Sequence, residues 1–362
     1  MKSQKNCIED IEKKEQIPDL KLAHRLSPGV DDSQVMVTLL NMGGPKDLSE
    51  VRPFLKRLFM DSLIIRFPIS QSFFANLIVS RRGKEAERRY GLIGGGSPIQ
   101  QSTVAQTEAL QNELNQRGHH LKVNYSFNYS DPLPEATIQA IKNSGKKYIL
   151  PVSLYPHYSL ATSGSTLHYL KQAAQKIYPE LVFLQSVSYY LSDFYIDALV
   201  DRIQEQLRGG ESLDDFYLLF SAHGLPLYFL TQGDPYPFEI AQTVAKMVGR
   251  LQREEAWAIS YQSAVGPMQW LKPSTGATLT ALARRGVKKI LVVPVSFVTD
   301  HIETLCEIDM EYRQMAQQQG VSDFRMSRAL ECHSGFINAL ADCVESSLKK
   351  ATGHKLQAAE SL

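Results

Sequence analysis

The feature of this sequence that most restricts its fold is an internal repeat of strand-and-turn segments. Residues 143–153 (NSGKKYILPVS) resemble residues 285–296 (RGVKKILVVPVS), and residues 39–45 (LLNMGGP) resemble residues 220–226 (FSAHGLP). Both pairs contain a short apolar run that ends near glycine or proline, as a buried strand does before a turn. The repeat therefore predicts two related halves.

Short apolar runs alternate with longer amphipathic segments along the chain. The predicted strands are 35–40, 147–155, 181–187, 216–221, 256–261 and 289–297. The predicted helices are 103–116, 133–142, 194–207, 237–251 and 275–284. This alternation predicts an α/β fold of two Rossmann-like halves with parallel sheets and a cleft between them. Right-handed crossovers bring the strand carboxyl ends to one edge, where ligands bind.

The domain prediction follows from these elements. Residues 1–33 are charged and lack apolar periodicity, so we expect a flexible extension. Residues 34–180 are predicted to form the first α/β domain, and residues 181–332 the second. A carboxyl-terminal helix, residues 333–362, is expected to join the first domain.

The first half is longer than the second. Pro45 and Pro151 are 106 residues apart, whereas Pro226 and Pro294 are only 68 apart. The 38 extra residues are placed between 52 and 96, a region that includes an apolar stretch. Such a stretch either covers a core or forms a lip over an apolar ligand or at a membrane surface. Residues 55–79 are called the lip below.

Charge and cysteine content exclude several classes of protein. The 39 basic and 38 acidic side chains give a net charge of +1, which does not favour nucleic acid as a partner. The four cysteines form no CxxC pair, which fits a reducing compartment. The polar amino terminus has no apolar signal segment. We expect a cytoplasmic protein, with peripheral contact at the inner face of the cell membrane through the lip.

His223 directly follows the predicted strand 216–221, and Gly224 and Pro226 form a tight turn after it. This order places an imidazole at the carboxyl end of a parallel strand, where pockets form. Imidazole accepts protons near neutral pH and ligates metals. The alternative is a histidine that is hydrogen-bonded in a loop.

A second cluster of ionisable residues follows the predicted strand 289–297. Glu303, Glu307 and Glu311 are spaced four apart, so on an α-helix they form one stripe, which Asp300 and His301 would extend. Like charges at this spacing repel by a few tenths of a kcal/mol. The stripe is therefore either a solvated face or a carboxylate track for protons or hard cations.

Two segments are candidates for binding an anionic group. Arg81 and Arg82 end the apolar stretch, and residues 94–98 (GGGSP) precede a helix with free amides and a hydroxyl. The glycine segment is neither a P-loop nor a GxGxxG motif, so it does not support a dinucleotide site. The segment alone is equally compatible with a simple turn.

Taken together, these stretches resemble the ferrochelatase family, in its bacterial form. The matching segments are 39–45 (LLNMGGP), 90–99 (YGLIGGGSPI), 220–226 (FSAHGLP), 261–263 with Gly266 and Trp270, and 296–309 (SFVTDHIETLCEID). The matching segments extend over about residues 35–335. Ferrochelatases insert ferrous iron into a porphyrin that is held between two Rossmann-like halves without a dinucleotide.

The resemblance implies roles for particular residues. His223 and Glu303 would be the catalytic and metal-handling pair, on facing sides of the macrocycle. The porphyrin contacts would be Met42, Arg82, Tyr90, Ser97 and Tyr129. The acidic path would consist of Asp300, His301, Glu307 and Glu311. The lip would be the apolar rim of the site. On chemical grounds we favour His223 as the proton acceptor and the glutamates as the charged conduit for iron.

At a few positions this sequence differs from animal or coproporphyrin-using members of the family, and these differences bear on the expected substrate and cofactor. Asn128 stands where animal members carry an arginine. The segment 351–362 lacks the cysteines that ligate an iron–sulfur cluster in animal members, and Leu160 occupies the remaining ligand position, so we expect no cluster and no resident cofactor. The coproporphyrin-using branch tends to have tyrosine where Met42 stands, which favours protoporphyrin IX.

Three other functions are compatible with parts of the sequence. One is a coproporphyrin III ferrochelatase. Another is a chelatase for a polycarboxylate tetrapyrrole, which the apolar lip disfavours. The third is a non-catalytic haem or metal carrier, which would not need Glu303 near His223. All versions of the enzyme hypothesis require that these two side chains converge on one cavity.

Overall fold

The computed structural model describes residues 31–67, 70–266 and 268–351. These residues contain two sheets of four parallel strands each. The first sheet has the order β2-β1-β3-β4 and the second β6-β5-β7-β8, so the order is the same in both halves. The strands are β1 Val35–Asn41, β2 Lys122–Phe127, β3 Tyr148–Ser153, β4 Val182–Phe183, β5 Tyr217–His223, β6 Trp257–Gln262, β7 Lys289–Pro294 and β8 Asp323–Met326. The predicted α/β class and the predicted repeat are confirmed.

Helices connect the strands, as expected for parallel sheets. They are α1 Val51–Met60, α2 Gln71–Leu92, α3 Ile99–Gln116, α4 Pro134–Asn143, α5 Ser165–Ile177, α6 Asp193–Gln204, α7 Tyr236–Arg250, α8 Thr275–Arg284, α9 Arg313–Gln318 and α10 Ser334–Ala351. A π-helix, Glu303–Tyr312, precedes α9. Helix starts follow ordinary capping chemistry: the Ser274 side chain accepts a hydrogen bond from the Ala277 amide at the start of α8.

The extra residues of the first half form a helical hairpin. In the second half, one helix, α7, connects β5 to β6, and α3 has the same position between β1 and β2. Helices α1 and α2 precede α3 and pack against each other, with no equivalent in the second half. The insertion that the repeat spacing predicted is therefore this hairpin, and the lip begins in α1 and ends in α2.

The two halves exchange their last helices and share one core. Helix α6 follows the first sheet but packs against α7 of the second half, and α10 follows the second sheet but packs against α3 of the first. Buried side chains of both sheets, such as Leu39 and Val293, belong to one continuous apolar cluster. This exchange fixes the orientation of the two sheets, because neither half can separate without exposing that cluster.

Several element boundaries differ from the prediction. The predicted boundary at 180/181 is wrong, because β4 pairs in parallel with β3 and completes the first sheet. The edge strands β2 and β8 were not predicted. In β2 four of the six residues are not fully buried, and β8 has only four residues, so neither has a continuous apolar run. The extension 1–30 and the tail 352–362 lie outside the described residues.

None of the helices within residues 31–67, 70–266 and 268–351 is both long and apolar enough to span a lipid bilayer.

The exchange of helices predicts a large loss of stability on truncation of Phe336 in α10. Phe336 is fully buried, and its ring lies 6.0 Å from that of Tyr189 and 6.5 Å from that of Tyr195. Phe336→Ala should lower the free energy of unfolding by about 3–5 kcal/mol, measured by urea denaturation. The control is Phe238→Ala, at a side chain that is 65% exposed, which should change it by about 0.5 kcal/mol or less. Equal effects of the two would contradict the shared core.

Candidate active site

The central strands β1 and β5 end at equivalent positions in the two halves. His223 is the last residue of β5, and Met42 directly follows β1. The His223 backbone is fixed on both sides: its amide donates to Ser296 Oγ at 3.0 Å, and the Tyr236 hydroxyl donates to its carbonyl oxygen at 3.1 Å. The strand end therefore presents the imidazole in a defined place at the carboxyl edge of the sheet.

His223 and Glu303 are in direct contact. The imidazole Nδ1 lies 2.7 Å from Glu303 Oε2, so the ring donates its Nδ1 proton to the carboxylate. His301 Nε2 lies 3.8 Å from the same oxygen, and its Nδ1 donates to the Thr299 carbonyl at 3.2 Å. The expected convergence of His223 and Glu303 is thus found, and the three ionisable side chains form one group.

This contact corrects one expectation. His223 and Glu303 were expected on facing sides of a macrocycle, and that arrangement is wrong. A planar ring needs van der Waals contact, about 3.5 Å or more, on each of its faces. Two atoms that are 2.7 Å apart leave no space for a ring between them. Both side chains therefore address the same face of any flat ligand.

The two partners shift each other's pKa in opposite directions. Burial alone would lower the pKa of His223, but the Glu303 carboxylate more than offsets it and raises that pKa above its usual value. Burial would likewise raise the pKa of Glu303, but His223, and then His301, hold it well below its usual range. Each group therefore stabilises the charged form of the other, and the contact strengthens when the imidazole gains a proton.

A cleft of about 440 Å³ lies between the two halves, and Glu303 of this pair lines it. Its apolar wall comes mainly from α1, and its ionisable side chains come from α2 and from the region of the π-helix. The residues that line it are Met42, Gly43, Phe54, Leu55, Leu58, Phe59, Arg82, Glu85, Ala86, Arg89, Tyr90, Ser97, Ile99, His301, Ile302, Glu303 and Glu311. The first half thus contributes the apolar wall and three charged side chains, and the second half contributes His301 and two carboxylates.

Four of the five predicted substrate contacts line this cleft. They are Met42, Arg82, Tyr90 and Ser97. Tyr90 is 5% exposed, and burial, followed by the charge of Glu303, raises its pKa above the ordinary range, so its hydroxyl stays protonated. Tyr129 is placed differently from the other four: its side chain is buried, and its hydroxyl donates to Asp61 at 2.6 Å.

The glutamate stripe lies on a π-helix and not on an α-helix. Residues 303–312 form this π-helix, whose hydrogen bonds join residues five apart. A π-helix has slightly more than four residues per turn, so Glu303, Glu307 and Glu311 still follow one slowly drifting stripe. Each glutamate also has its own partners: Glu307 accepts hydrogen bonds from the Ser263 amide and hydroxyl and from the Tyr312 hydroxyl.

The outermost carboxylate forms an ion pair with the other half of the molecule. Arg89, in α2, makes a bidentate contact with Glu311, at the end of the π-helix. Both side chains line the cleft. No sequence pattern indicates this partner, because Arg89 lies in a segment rich in arginine and glutamate.

Asp300 contacts a different part of the second half from Glu303. Its amide donates to Glu331 at 2.8 Å, and its carboxylate accepts from the Ala329 amide at 3.3 Å. These contacts tie the loop before the π-helix to the loop after β8. Asp300 therefore helps to hold the loop beside the site. Its hydrogen bonds go to Glu331 and Ala329 and not to Glu303, its neighbour in the predicted acidic path.

The glycine segment 94–98 lies beside the cleft, and Ser97 is one of its lining residues. The Ser97 amide donates to the Pro45 carbonyl at 2.7 Å, so this amide is not free for an anion. A Cβ on Gly96 would come within 2.2 Å of the Lys46 carbonyl oxygen, which explains the need for glycine there. The segment thus packs the turn after β1 against the start of α3 and leaves the Ser97 side chain on the cleft.

Comparison with known proteins decides the family. A sequence model of the ferrochelatase family matches residues 34–348. A ferrochelatase of Gloeobacter violaceus is 40% identical over 86% of this chain and 97% of its own length. One of Nostoc punctiforme is 39% identical over 90% of this chain and 86% of its own. This chain belongs to the ferrochelatase family. Ferrochelatases are porphyrin metal chelatases of haem biosynthesis.

Solved structures support the same fold. SirB of Bacillus subtilis with Fe3+ matches 88% of this ferrochelatase family member and 97% of its own chain, with a TM-score of 0.54 and 14% identity. The sirohydrochlorin chelatase SirB of Bacillus subtilis subspecies spizizenii with cobalt matches 70% of this chain and 91% of its own, with a TM-score of 0.51 and 15% identity. At this identity the similarity is one of fold.

The opposed shifts of the pair predict a change in the titration of His223. In the ferrochelatase-family chain as it stands, the imidazole should titrate above its unperturbed pKa of about 6.5. In Glu303→Gln, burial acts without the carboxylate, so the midpoint should fall below about 6.5. NMR titration of the His223 ring protons measures both. An unchanged midpoint would show that the carboxylate does not control the imidazole, and exposed His120 serves as the internal control.

Proposed function

We propose that this protein inserts Fe2+ into protoporphyrin IX and releases protohaem and two protons. The observation that carries the proposal is the His223–Glu303 pair, whose carboxylate lines a cleft with an apolar wall formed by α1. A carrier would need the cleft and one axial ligand. A coupled imidazole and carboxylate in contact suit a reaction that moves protons as well as a metal.

The lining of the cleft favours a porphyrin with few carboxylates. Protoporphyrin IX carries two propionates, whereas coproporphyrin III carries four. Phe54, Leu55 and Phe59 present hydrocarbon to the cleft, and Met42 does so at the end of β1. Arg82 is available as a partner for a propionate. We therefore propose protoporphyrin IX rather than coproporphyrin III as the substrate.

The pair has a defined division of tasks in this proposal. Because Nδ1 of His223 donates to Glu303, Nε2 is the nitrogen that can take a pyrrole proton. The Glu303 carboxylate stabilises the imidazolium that results. Both groups address one face of the ring, so the proton leaves on that face. The rigid apolar side, pressing on the ring, would help to bend it and expose the nitrogen lone pairs.

The metal is a substrate that reaches this pair from the side of the π-helix. Glu311 and Glu307 lie further along that helix, and His301 lies beside Glu303. We propose that these groups attract the ferrous ion, with the Arg89–Glu311 contact opening as the ion passes. Asp300 supports the loop that holds His301. We propose no resident cofactor: Leu160, at the remaining ligand position of the animal cluster, packs against the core.

The lip has a surface that suits a lipid bilayer. Phe73 in α2 is 63% exposed, Met60 is 42% exposed and Leu63 is 37% exposed. Apolar exposure of this extent on one hairpin is typical of an interaction site. We propose that the protein is cytoplasmic and contacts the inner face of the cell membrane peripherally through the lip, from which an apolar porphyrin can enter the cleft.

Removal of the imidazole tests the reaction. His223→Ala should lower kcat for metal insertion by at least about 100-fold, because a positioned base contributes about 10²–10⁴-fold. Insertion is followed by the change in porphyrin absorbance with Fe2+ under anaerobic conditions, or with Zn2+. Exposed His120→Ala is the matched control and should leave kcat unchanged.

The same assay distinguishes the alternatives. If the wild-type protein binds haem tightly but inserts no metal above background, it is a carrier. If kcat/KM is higher with coproporphyrin III than with protoporphyrin IX, the substrate proposed here is wrong. Near-normal insertion by His223→Ala, with porphyrin bound, would overturn the assignment of the base.

Polar substitution in the lip should affect the porphyrin more than the metal. Leu63→Ser combined with Ile64→Ser should raise KM for protoporphyrin IX about fivefold or more, since each loses burial worth about 1 kcal/mol. KM for Zn2+ should change less than twofold. Leu191→Ser, at a leucine that is 38% exposed outside the lip, is the matched control. Equal porphyrin KM in the double variant and the control would contradict a role for the lip.

A further inference from the structure

One buried carboxylate lies where the chain leaves α1 and enters the turn of the lip. Asp61 is 2% exposed and receives four hydrogen bonds. Its Oδ1 accepts from the Leu63 amide at 2.8 Å and from the Tyr169 hydroxyl at 2.9 Å. Its Oδ2 accepts from the Tyr129 hydroxyl at 2.6 Å and from the Ser165 hydroxyl at 2.7 Å. A buried charge is stable only with such donors.

The donors come from separate parts of the first half. Tyr129 lies in the loop after β2, and Ser165 and Tyr169 lie on the first turns of α5. The Asn128 side chain donates to the Ser165 hydroxyl at 3.2 Å and so belongs to the same network. Asp61 thus joins the lip to two elements that are themselves part of the α/β framework.

The network also reaches the lining of the cleft. The Tyr129 amide donates to the Met42 carbonyl at 3.1 Å, and Arg57 of α1 donates to the Tyr129 carbonyl at 3.0 Å. Met42 lines the cleft, as do Leu58 and Phe59 of α1. The position of the apolar side of the cleft relative to the end of β1 therefore depends on Tyr129 and on the carboxylate that holds its hydroxyl.

The donors keep their protons at neutral pH. Burial, and then the charge of Asp61, raise the pKa of Tyr129 well above its ordinary value, and the same two causes raise that of Tyr169. Both hydroxyls therefore remain donors, and the network is complete in one protonation state. Its geometry is that of a fixed attachment.

We propose that Asp61 is a positioning residue for porphyrin binding, and that Tyr129 acts through Asp61 instead of touching the substrate. The carboxylate fixes the apolar side of the cleft and the turn of the lip against the first half. This inference rests on the proposed function for its substrate, and it changes the role expected of Tyr129 from a substrate contact to a support.

A double-mutant cycle tests the proposal. Asp61→Asn keeps the shape but turns an NH2 group toward donors, so the dissociation constant for protoporphyrin IX should rise about tenfold. It is measured without metal by the quenching of protein fluorescence, and KM for Zn2+ should change less than about twofold. Tyr129→Phe alone should weaken binding about threefold or more, but should add little in the Asp61→Asn background, because both changes remove the same attachment.

Hydrogen exchange of the amides of residues 61–67, measured without porphyrin, gives a second readout. Asp61→Asn and Tyr129→Phe should both accelerate it. Tyr178→Phe is the matched control: its hydroxyl donates to the Lys146 carbonyl at 3.1 Å in the same half, and its loss should change neither exchange nor affinity.

Different outcomes of these measurements would overturn the role of Asp61 or the proposed function. Wild-type affinity and exchange in Asp61→Asn overturn the proposal, and so do additive effects of the two substitutions, which would mean that Tyr129 contacts the porphyrin itself. If Asp61→Asn does not fold, Tyr129→Phe and Tyr169→Phe each delete one donor, and wild-type affinity in both overturns it. If the wild-type protein binds no protoporphyrin IX, the proposed function fails, while the exchange data still decide whether Asp61 fixes the lip.

Discussion

The hydrogen bond between the His223 imidazole and the Glu303 carboxylate is the interaction on which the site depends. It joins the end of β5 to the first residue of the π-helix, so the second sheet and the helix that follows it share one fixed point. It also offsets the cost of partly removing each charge from water. Without it, desolvation would favour the neutral form of the imidazole and would disfavour the charge of the carboxylate.

The repeat explains why this pair faces an apolar surface. Met42 and His223 hold equivalent places in the two copies of the strand-and-turn segment, each at the end of a central strand. The copies then diverge. The first continues into the α1–α2 hairpin, and the second reaches α7 after only a short 3-10 helix, Leu227–Gln232. Because only the first copy has this insertion, the cleft has an apolar wall from α1 on one side and the carboxylates of the π-helix on the other.

The central strands, the repeat and the insertion could be predicted from the sequence, because continuous apolar runs and the spacing between the two copies are visible in the sequence itself. Elements whose form depends on tertiary contacts could not be predicted. Edge strands β2 and β8 lack continuous burial, and the 303–312 segment has a spacing that fits an α-helix but forms a π-helix. Side-chain contacts between distant residues could not be predicted either. The Arg89–Glu311 and Tyr129–Asp61 contacts join residues far apart in the chain, and no local sequence pattern indicates them.

Two carboxylates, the buried Asp61 and the partly exposed Glu303, show how partners determine what a charge can do. The hydroxyls that donate to Asp61 hold their protons throughout the neutral range, so its hydrogen bonds stay the same as a substrate comes and goes. Glu303 is bonded to an imidazole, whose proton count can change in that range. The first carboxylate is therefore suited to hold a surface in place, and the second to respond when a proton arrives. The reaction proposed above needs both kinds, one to fix the α1 wall of the cleft and one to take part in proton transfer.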